Sequence, residues 1–161
     1  MSENVLTVVT ELENKFGKAL LEKAVDTRKL VKIVVEVDSL VAVARFLRDN
    51  YGLDHVKAVT GVDLSRLLKK EDKIEVIYHL GSYTRPELAT ADIALSTKLD
   101  RKSPRMPSLM DVWPSVEFHE REVYEMFGVV FEGHPDLRRL LLPEYWNDIP
   151  PMLKDYEPPG R

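Results

Sequence analysis

The sequence predicts an α+β fold, in which helices pack on one face of a mixed or antiparallel sheet and a Pro-rich arm follows at the C-terminus. The first part of the chain alternates helical and strand periodicities. The middle part holds several strand-like stretches joined by short turns. Such a combination of strands with a few helices is typical of α+β domains. The length of 161 residues fits one domain of this kind.

Two helices and one strand are predicted in the first third of the chain. Apolar residues recur at helical spacing from Leu6 to Leu20, which indicates an amphipathic helix. Alternating residues from Val31 to Val37 predict a strand. A second helix is predicted from Leu40 to Asn50, and Gly52 stands just past its end, where glycine commonly terminates a helix.

Three strands are predicted next, and their patterns cover His55 to Asp63, Lys73 to Leu80, and Leu88 to Leu99. Short turns join them, so we expect an antiparallel meander. Within the second strand we expect Tyr78 to be packed in the core and His79 to lie at the surface.

Two helices are predicted after the meander. The first is short and runs from Ser108 to Trp113, since the residue before Pro114 disfavours the helical conformation. The second begins after Ser115 and ends at Phe127, with Gly128 as its terminator.

The chain is expected to divide into a globular domain of residues 1–142 and an extended arm of residues 143–161. Half of the prolines in the chain lie in this arm, and proline disfavours both helix and sheet interior. The same segment holds Tyr145, Trp146 and Tyr156, which is too much apolar surface for an ordinary disordered tail. Two interpretations stay open: an arm wrapped on its own domain, or an arm laid across a partner subunit.

Composition excludes several classes of function. The chain has no cysteine, so we expect no disulfide, thiolate-held iron–sulfur cluster or cysteine nucleophile on it. A net charge of −4 argues against a general nucleic-acid binder. The longest apolar runs are too short to span a bilayer, and the N-terminal sequence lacks the pattern of an export signal. We therefore expect an intracellular protein.

The chain contains no glutamine and only four asparagines, while 31% of its residues are charged. Depletion of thermolabile side chains together with many lysines and glutamates is typical of heat-adapted proteins. The composition therefore predicts a thermophilic source.

The helix that ends at Phe127 carries a carboxylate on its apolar side. On a helical wheel, Glu120 falls between Val123 and Phe127. A buried carboxylate needs a cation or hydrogen bonds to offset its loss of hydration. Because Arg138 and Arg139 follow a sharp bend in the sequence, we expect Glu120 to be buried and to pair with one of them. A slightly rotated helix with Glu120 at the rim is the alternative.

The opposite side of that helix carries three charged residues. Glu117, Arg121 and Glu125 are spaced four apart, so neighbouring members can pair on an exposed surface.

The sequence contains few patterns for catalysis. A metal-dependent hydrolase could be assembled from His119, Glu122 and His134, but the spacing lacks the paired histidines of a zinc peptidase helix. There is no nucleophile elbow, and the seven glycines form no phosphate-binding loop. We therefore expect no catalytic, cofactor-binding or metal-binding residues. A stand-alone hydrolase and a regulatory binding module stay open as alternatives.

Two neighbouring stretches, Glu120 to Gly128 (EREVYEMFG) and Phe131 to Leu141 (FEGHPDLRRLL), strongly resemble the thirty-kilodalton subunit, also called the C subunit, of respiratory complex I. The related subunit of energy-converting membrane-bound NiFe hydrogenases shares this pattern. Further matches lie at Ala58 to Asp63, Val76 to Leu80, Trp113 to Ser115 and Pro151 to Tyr156. The resemblance covers roughly residues 30 to 157.

This resemblance implies a subunit without a redox centre or a catalytic residue. Its partners would be the large D subunit, which is a homologue of the hydrogenase large subunit, and the small iron–sulfur subunit. It would belong to the peripheral arm on the cytoplasmic side of the membrane and would support electron transfer to quinone. One set of residues is expected to define the fold and to face these partners: Glu120, Arg121, Glu122, His134, Asp136, Arg138, Arg139, Trp146 and Tyr156.

The resemblance leaves the specific complex open. A quinone-linked dehydrogenase, an energy-converting membrane-bound hydrogenase and a sulfur reductase all contain such a subunit. The short chain and the heat-adapted composition favour the second and third of these, whereas the family takes its name from the first.

Overall fold

The computed structural model describes residues 3–25, 30–67, 71–89 and 92–158. Four α-helices are present in these ranges: α1 (Glu3–Phe16), α2 (Leu40–Tyr51), α3 (Pro86–Ala89) and α4 (Glu117–Phe127). Seven strands accompany them: β1 (Leu20–Val25), β2 (Leu30–Val35), β3 (His55–Asp63), β4 (Lys73–Gly81), β5 (Asp92–Asp100), β6 (Arg105–Pro107) and β7 (Val130–Glu132).

The main sheet has five strands in the order β1-β2-β5-β4-β3. β3, β4 and β5 form the predicted antiparallel meander, and β1 pairs antiparallel with β2. β2 and β5 run parallel to each other, which makes the sheet mixed. β6 and β7 form a separate two-stranded parallel sheet. The predicted α+β class with a mixed sheet is confirmed.

The helices cover one face of the main sheet. Successive residues of a strand point to opposite faces, and on β4 one alternate set is fully buried: Ile74, Val76, Tyr78 and Leu80. These side chains join a single core with apolar residues of α1, α2 and α4, such as Leu12, Leu47 and Val123. The opposite face carries polar side chains, among them Lys32, whose amine lies 2.5 Å from the Glu75 carboxylate. The core therefore lies between the sheet and the helices.

Several elements agree closely with the sequence-based predictions. The pattern from His55 to Asp63 coincides with β3. Gly52 directly follows the last residue of α2 and Gly128 that of α4, and both glycines adopt the left-handed conformation, with φ of 62° and 76°. Tyr78 is buried, as expected, and His79 is half-buried.

Three elements differ from the predictions. The first helix ends at Phe16 rather than Leu20, and β1 follows it. The strand predicted from Leu88 begins only at Asp92, because the short helix α3 occupies residues 86–89. The segment from Ser108 to Trp113 is a turn instead of a helix, since the carbonyl of Leu109 accepts both the Val112 and Trp113 amides.

Residues 143–158, the described part of the predicted arm, contain turns but no helix or strand. They lie against the chain's own domain through main-chain hydrogen bonds. The Met152 amide donates to the Met126 carbonyl at 3.0 Å, and the Lys154 amide donates to the Asp63 carboxylate at 2.9 Å. The domain boundary between residues 142 and 143 stays a prediction.

Within the described ranges, none of the helices has both the length and the apolar character needed to cross a bilayer.

Candidate interaction site

Glu120 of α4 is fully buried, but it does not pair with an arginine. Its Oε1 accepts hydrogen bonds from the Tyr78 hydroxyl and the Leu109 amide, both at 2.9 Å. Its Oε2 accepts one from the Ser108 hydroxyl at 2.6 Å. The expectation of burial agrees with the structure, whereas the expected ion pair with Arg138 or Arg139 is wrong. Three neutral donors from β4 and the turn before α4 take the place of the cation.

The two arginines have other partners. The Arg138 guanidinium lies 2.9 Å from the Asp136 carboxylate, and most of its side chain is exposed. Arg139 donates to the Trp146 carbonyl at 2.7 Å, which connects it to residues 143–158, which we call the C-terminal segment. Arg138 and Arg139 are therefore engaged by Asp136 and by main-chain carbonyls rather than by Glu120.

Burial raises the pKa of Glu120 above its ordinary value of 4.5, and the three hydrogen bonds offset only part of that rise. Burial together with the neighbouring Glu120 carboxylate also raises the pKa of Tyr78 well above its ordinary value. The Tyr78 hydroxyl therefore keeps its proton and serves as a permanent donor. The arrangement fixes the turn before α4 against the sheet.

Arg121 and Glu125 hold the main chain of residues 138–142. Arg121 donates to the carbonyls of Arg138 and Arg139, each at 3.0 Å. Glu125 accepts the next three amides, from Leu140, Leu141 and Leu142, at 2.8–3.0 Å. The predicted exposed pairing of Glu117, Arg121 and Glu125 along the helix is wrong, because Arg121 and Glu125 are both buried under this segment. We call this arrangement the α4 clamp.

The α4 clamp binds main-chain groups of residues 138–142 and leaves the side chains of Leu140 and Leu141 exposed. Five large apolar side chains between residues 140 and 152 are exposed: Leu140 (38%), Leu141 (62%), Tyr145 (84%), Ile149 (42%) and Met152 (55%). We call these five residues the C-terminal apolar surface. Exposed apolar residues scattered singly are ordinary, whereas the concentration of five exposed large apolar residues in one stretch of the chain favours an interaction site.

His134 and Asp136 shape the bend before the clamped segment. The His134 Nε2 lies 3.1 Å from the Glu117 carbonyl, and its Nδ1 lies 3.1 Å from the Asp136 amide. In this geometry Nδ1 accepts the Asp136 amide and Nε2 faces the Glu117 carbonyl, which can accept its proton. The Asp136 carboxylate lies 3.9 Å from the Arg121 guanidinium. His134, Asp136 and Arg121 therefore form one connected polar network next to α4.

The other expected site residues lie at the edges of this network. Glu122 is exposed on α4 and borders a groove next to β3. Trp146 and Tyr156 contact each other within the C-terminal segment, with ring centroids 5.7 Å apart. The Trp146 indole donates to the Asp148 carbonyl at 3.1 Å.

A second polar cluster, which the sequence analysis did not single out, fastens the far end of the C-terminal segment. The buried Asp63 carboxylate lies 3.0 Å from the Arg101 guanidinium, and Arg101 also reaches Asp155 at 2.6 Å. Asp63 further accepts the Lys154 amide. We call these residues the Asp63 latch. The signal was present in the sequence, since Asp63 and Lys154-Asp155 both lie in stretches that match the family.

Burial by itself raises the pKa of Asp63, but hydrogen bonds from Arg101, Lys154 and Ser65 outweigh it and hold that pKa well below the ordinary value. Asp63 is therefore ionised at neutral pH. The latch and the α4 clamp together fix both ends of the C-terminal segment.

The residues of the alternative hydrolase do not form a metal centre in the part of the chain that is described, where no group of three His, Asp or Glu side chains is placed to hold an ion. Both ring nitrogens of His134 already have main-chain partners.

Comparison with known families decides the kinship of the chain. The sequence profile of the family described as "Respiratory-chain NADH dehydrogenase, 30 Kd subunit" matches residues 33–161. The chain belongs to this family. The resemblance noted in the sequence is thereby confirmed.

Two relatives illustrate the range of this respiratory-chain family. The C subunit of the F(420)H(2) dehydrogenase of Methanosarcina mazei is 32% identical over 151 residues, which cover 94% of this chain and 90% of the relative. The C subunit of the NADH-quinone oxidoreductase of a Roseiflexus species is 38% identical over 151 residues, with 92% and 82% covered.

Two solved structures share the fold of this family member. One is described as Nqo5, a trypsin-resistant fragment (1-134), with a TM-score of 0.70 and 25% identity over 83% of this chain and 99% of the fragment. The other is a chain of the membrane-bound sulfane sulfur reductase, an archaeal respiratory membrane complex. Its TM-score is 0.69, and its identity is 26% over 96% of this chain and 86% of its own length.

Proposed function

We propose that the chain is a non-catalytic structural subunit of a complex I-like, membrane-bound respiratory oxidoreductase. Its relatives are the C subunits of NADH-quinone oxidoreductase and of F(420)H(2) dehydrogenase, which supports a place in a multi-subunit complex. In this role the chain sits in the peripheral arm on the cytoplasmic side and supports electron transfer to quinone without carrying a redox centre. Electron donor and acceptor sites belong to other subunits.

The C-terminal apolar surface is the observation that carries this proposal. Its side chains project outward, while the α4 clamp and the Asp63 latch use the main chain of the same segment. This division combines the two interpretations of the arm, because the main chain binds its own domain and the side chains are left for a partner. We assign the homologue of the large D subunit as the partner at this surface and the small iron–sulfur subunit as a neighbour.

An alternative complex is favoured by one comparison. The sulfane sulfur reductase chain matches 96% of this chain, including most of the C-terminal segment. The same docking surface then serves a sulfur reductase or an energy-converting membrane-bound NiFe hydrogenase. The metal content of the partner separates these cases, since a nickel-bearing large subunit identifies a hydrogenase.

Co-purification from membranes tests the proposal. A tagged chain is expected to retain a large subunit and an iron–sulfur subunit after mild detergent extraction, and to be released from membranes by high salt or alkali as a peripheral protein. Recovery of the chain without other polypeptides, or with turnover or a bound metal of its own, would contradict the proposal.

Two matched tyrosine variants locate the interface. Tyr145 is 84% exposed within the C-terminal apolar surface, and Tyr83 is 82% exposed in the loop after β4. Buried interface tyrosines commonly account for a large share of binding energy. Tyr145→Ala is therefore expected to lower the recovery of the partner at least tenfold, and Tyr83→Ala to leave it unchanged. Equal losses in the two variants would contradict the assigned surface.

A further inference from the structure

β3 lies at one edge of the main sheet and pairs only with β4 in the part of the chain that is described. In an antiparallel pair, alternate residues direct their main-chain N–H and C=O groups away from the partner strand. The outer edge of β3 therefore presents a row of donors and acceptors that no described strand uses. Such edges are the sites at which a further strand can add.

The accessible part of this edge is short and well defined. The pairing register shifts between Val56 and Ala58, and such a bulge interrupts the regular edge at the start of the strand. At the other end, Lys154 lies against Asp63 through the Asp63 latch. The stretch from Ala58 to Val62 lies between these two limits and contains no proline to block pairing.

A groove of about 360 Å³ runs beside this stretch. β3 contributes Val59, Thr60 and Gly61 to its wall, α4 contributes a row of residues, and Met152 also lines it. The α4 row is formed by Glu122, Val123, Met126 and Phe127. The strand lies directly on the helix, because a Cβ atom at Gly61 would fall 2.4 Å from the Phe127 ring. The groove is thus mainly apolar, with one carboxylate at its border.

We infer that an extended segment of a partner polypeptide adds to the edge of β3 as a sixth strand and places an apolar side chain in this groove. The free main-chain groups determine the kind of occupant. A helix satisfies its own main-chain groups, whereas an extended segment carries unpaired donors and acceptors at strand spacing. An apolar side chain next to the paired backbone matches the lining of the groove.

The position of the groove indicates that the partner at the C-terminal apolar surface, the homologue of the large D subunit, supplies the segment. Met152 belongs both to the C-terminal apolar surface and to the wall of the groove. A protein bound at that surface would therefore lie next to the groove and the β3 edge. The inference rests on the proposed function in this respect, and it adds that the partner contributes main-chain pairing as well as side-chain contacts.

Hydrogen–deuterium exchange at residue resolution tests the added strand. The purified chain is compared with the same chain in the complex isolated from membranes through its tag. We expect every second amide between Ala58 and Val62 to exchange at least tenfold more slowly in the complex, since the other amides are already bonded to β4. Additional protection spread equally over all amides of the stretch, no additional protection in the complex, or outward-facing amides that already exchange slowly in the purified chain would each overturn the inference.

The same experiment separates this inference from the proposed function. A complex that assembles with an unprotected β3 edge overturns only the added strand. A chain that never associates with another polypeptide overturns both.

A pair of charge substitutions tests the groove. Met126→Glu places a carboxylate in the apolar wall, next to Glu122, and is expected to lower partner recovery at least tenfold. Leu21→Glu makes a matched change at an exposed leucine on β1, the opposite edge strand, and is expected to have no effect. Circular dichroism establishes that each variant is folded. Equal losses, or no loss in folded Met126→Glu, would overturn the assignment of the groove.

Discussion

At the scale of single residues, Glu120 shows how a buried carboxylate is accommodated without a cation. Its position on the apolar side of α4 is evident from the sequence. Its hydrogen-bond partners are not evident from the sequence. Tyr78 is 42 residues away along the chain, and the Ser108 hydroxyl and the Leu109 amide are uncharged, so no pattern of opposite charges marks them. Sequence periodicity therefore predicts which side of the helix is buried, while the choice of partner depends on the tertiary fold.

Replacement of Glu120 is expected to change the pH dependence of stability. Because its folded pKa is raised, the folded chain holds this proton to higher pH than the unfolded chain, and Glu120 contributes most at low pH. That contribution is lost as pH rises from about 4.5 through the folded pKa. Glu120→Gln keeps an acceptor for Tyr78 and Leu109, so its unfolding free energy should vary less over this range. Urea unfolding at a series of pH values measures the difference.

Glu120→Ala serves as the contrasting variant. It leaves the Tyr78 hydroxyl and the Leu109 amide buried without an acceptor, so we expect a loss of about 3 kcal/mol or more. Equal stability of the Ala and Gln variants would contradict the role assigned to the three hydrogen bonds.

Asp63 is expected to show the opposite pH dependence. Its pKa is lowered in the folded chain, so its contribution is complete above the ordinary carboxylate pKa and is lost as pH falls. Asp63→Asn breaks the buried pair with Arg101 and should lower the unfolding free energy at pH 7 by about 3 kcal/mol. The difference from the parent chain should shrink below about pH 4.

Asp155→Asn is the control for Asp63, since Asp155 binds the same Arg101 but is half exposed. Exposed pairs contribute little, so we expect a change of less than about 1 kcal/mol. Chemical unfolding of both variants gives the comparison, and an equal effect at the two positions would be inconsistent with a latch centred on Asp63.

At the scale of elements, sequence-based prediction succeeds where neighbouring residues determine the structure and fails where tertiary pairing determines it. α2 and α4 are terminated by Gly52 and Gly128, which follow their last residues and adopt positive φ angles, and a terminating glycine is a signal that the local sequence carries. β1 is not predicted, because Leu20-Leu21 and Glu22-Lys23 are like pairs and do not alternate. This strand exists through its pairing with β2.

The α4 clamp is expected to order a whole stretch of main chain, and hydrogen exchange can test this. In Glu125→Ala the amides of Leu140, Leu141 and Leu142 lose their acceptor together, so their hydrogen exchange should accelerate at least tenfold. Glu122→Ala, one turn earlier and exposed, should leave their exchange unchanged. Retained protection in the Glu125 variant would indicate that packing, and not the carboxylate, orders the segment.

At the scale of the whole molecule, the sequence predicted the fold class and the family. It left open how the C-terminal segment is held. That question depends on the Asp63 latch, which joins residues 91 positions apart. Pairings at such a distance have no local periodicity. The thermophilic source stays a prediction of the composition, and the melting temperature of the chain tests it.

Truncation after Leu142 tests how much the C-terminal segment contributes to the stability of the domain and to partner binding. Among the described residues, every fully buried apolar side chain of the core lies at or before Phe131. The relative described as Nqo5 yields a trypsin-resistant fragment that aligns with 83% of this chain. We therefore expect the shortened chain to fold and to lose about 2 kcal/mol, or roughly 5 °C in melting temperature, through the missing Lys154 and Leu153 contacts.

Partner recovery by the shortened chain should fall below detection, since Tyr145, Ile149 and Met152 are removed. Calorimetry and co-purification measure the two effects, and a truncated chain that melts normally but still recovers its partner would move the docking surface elsewhere on the domain.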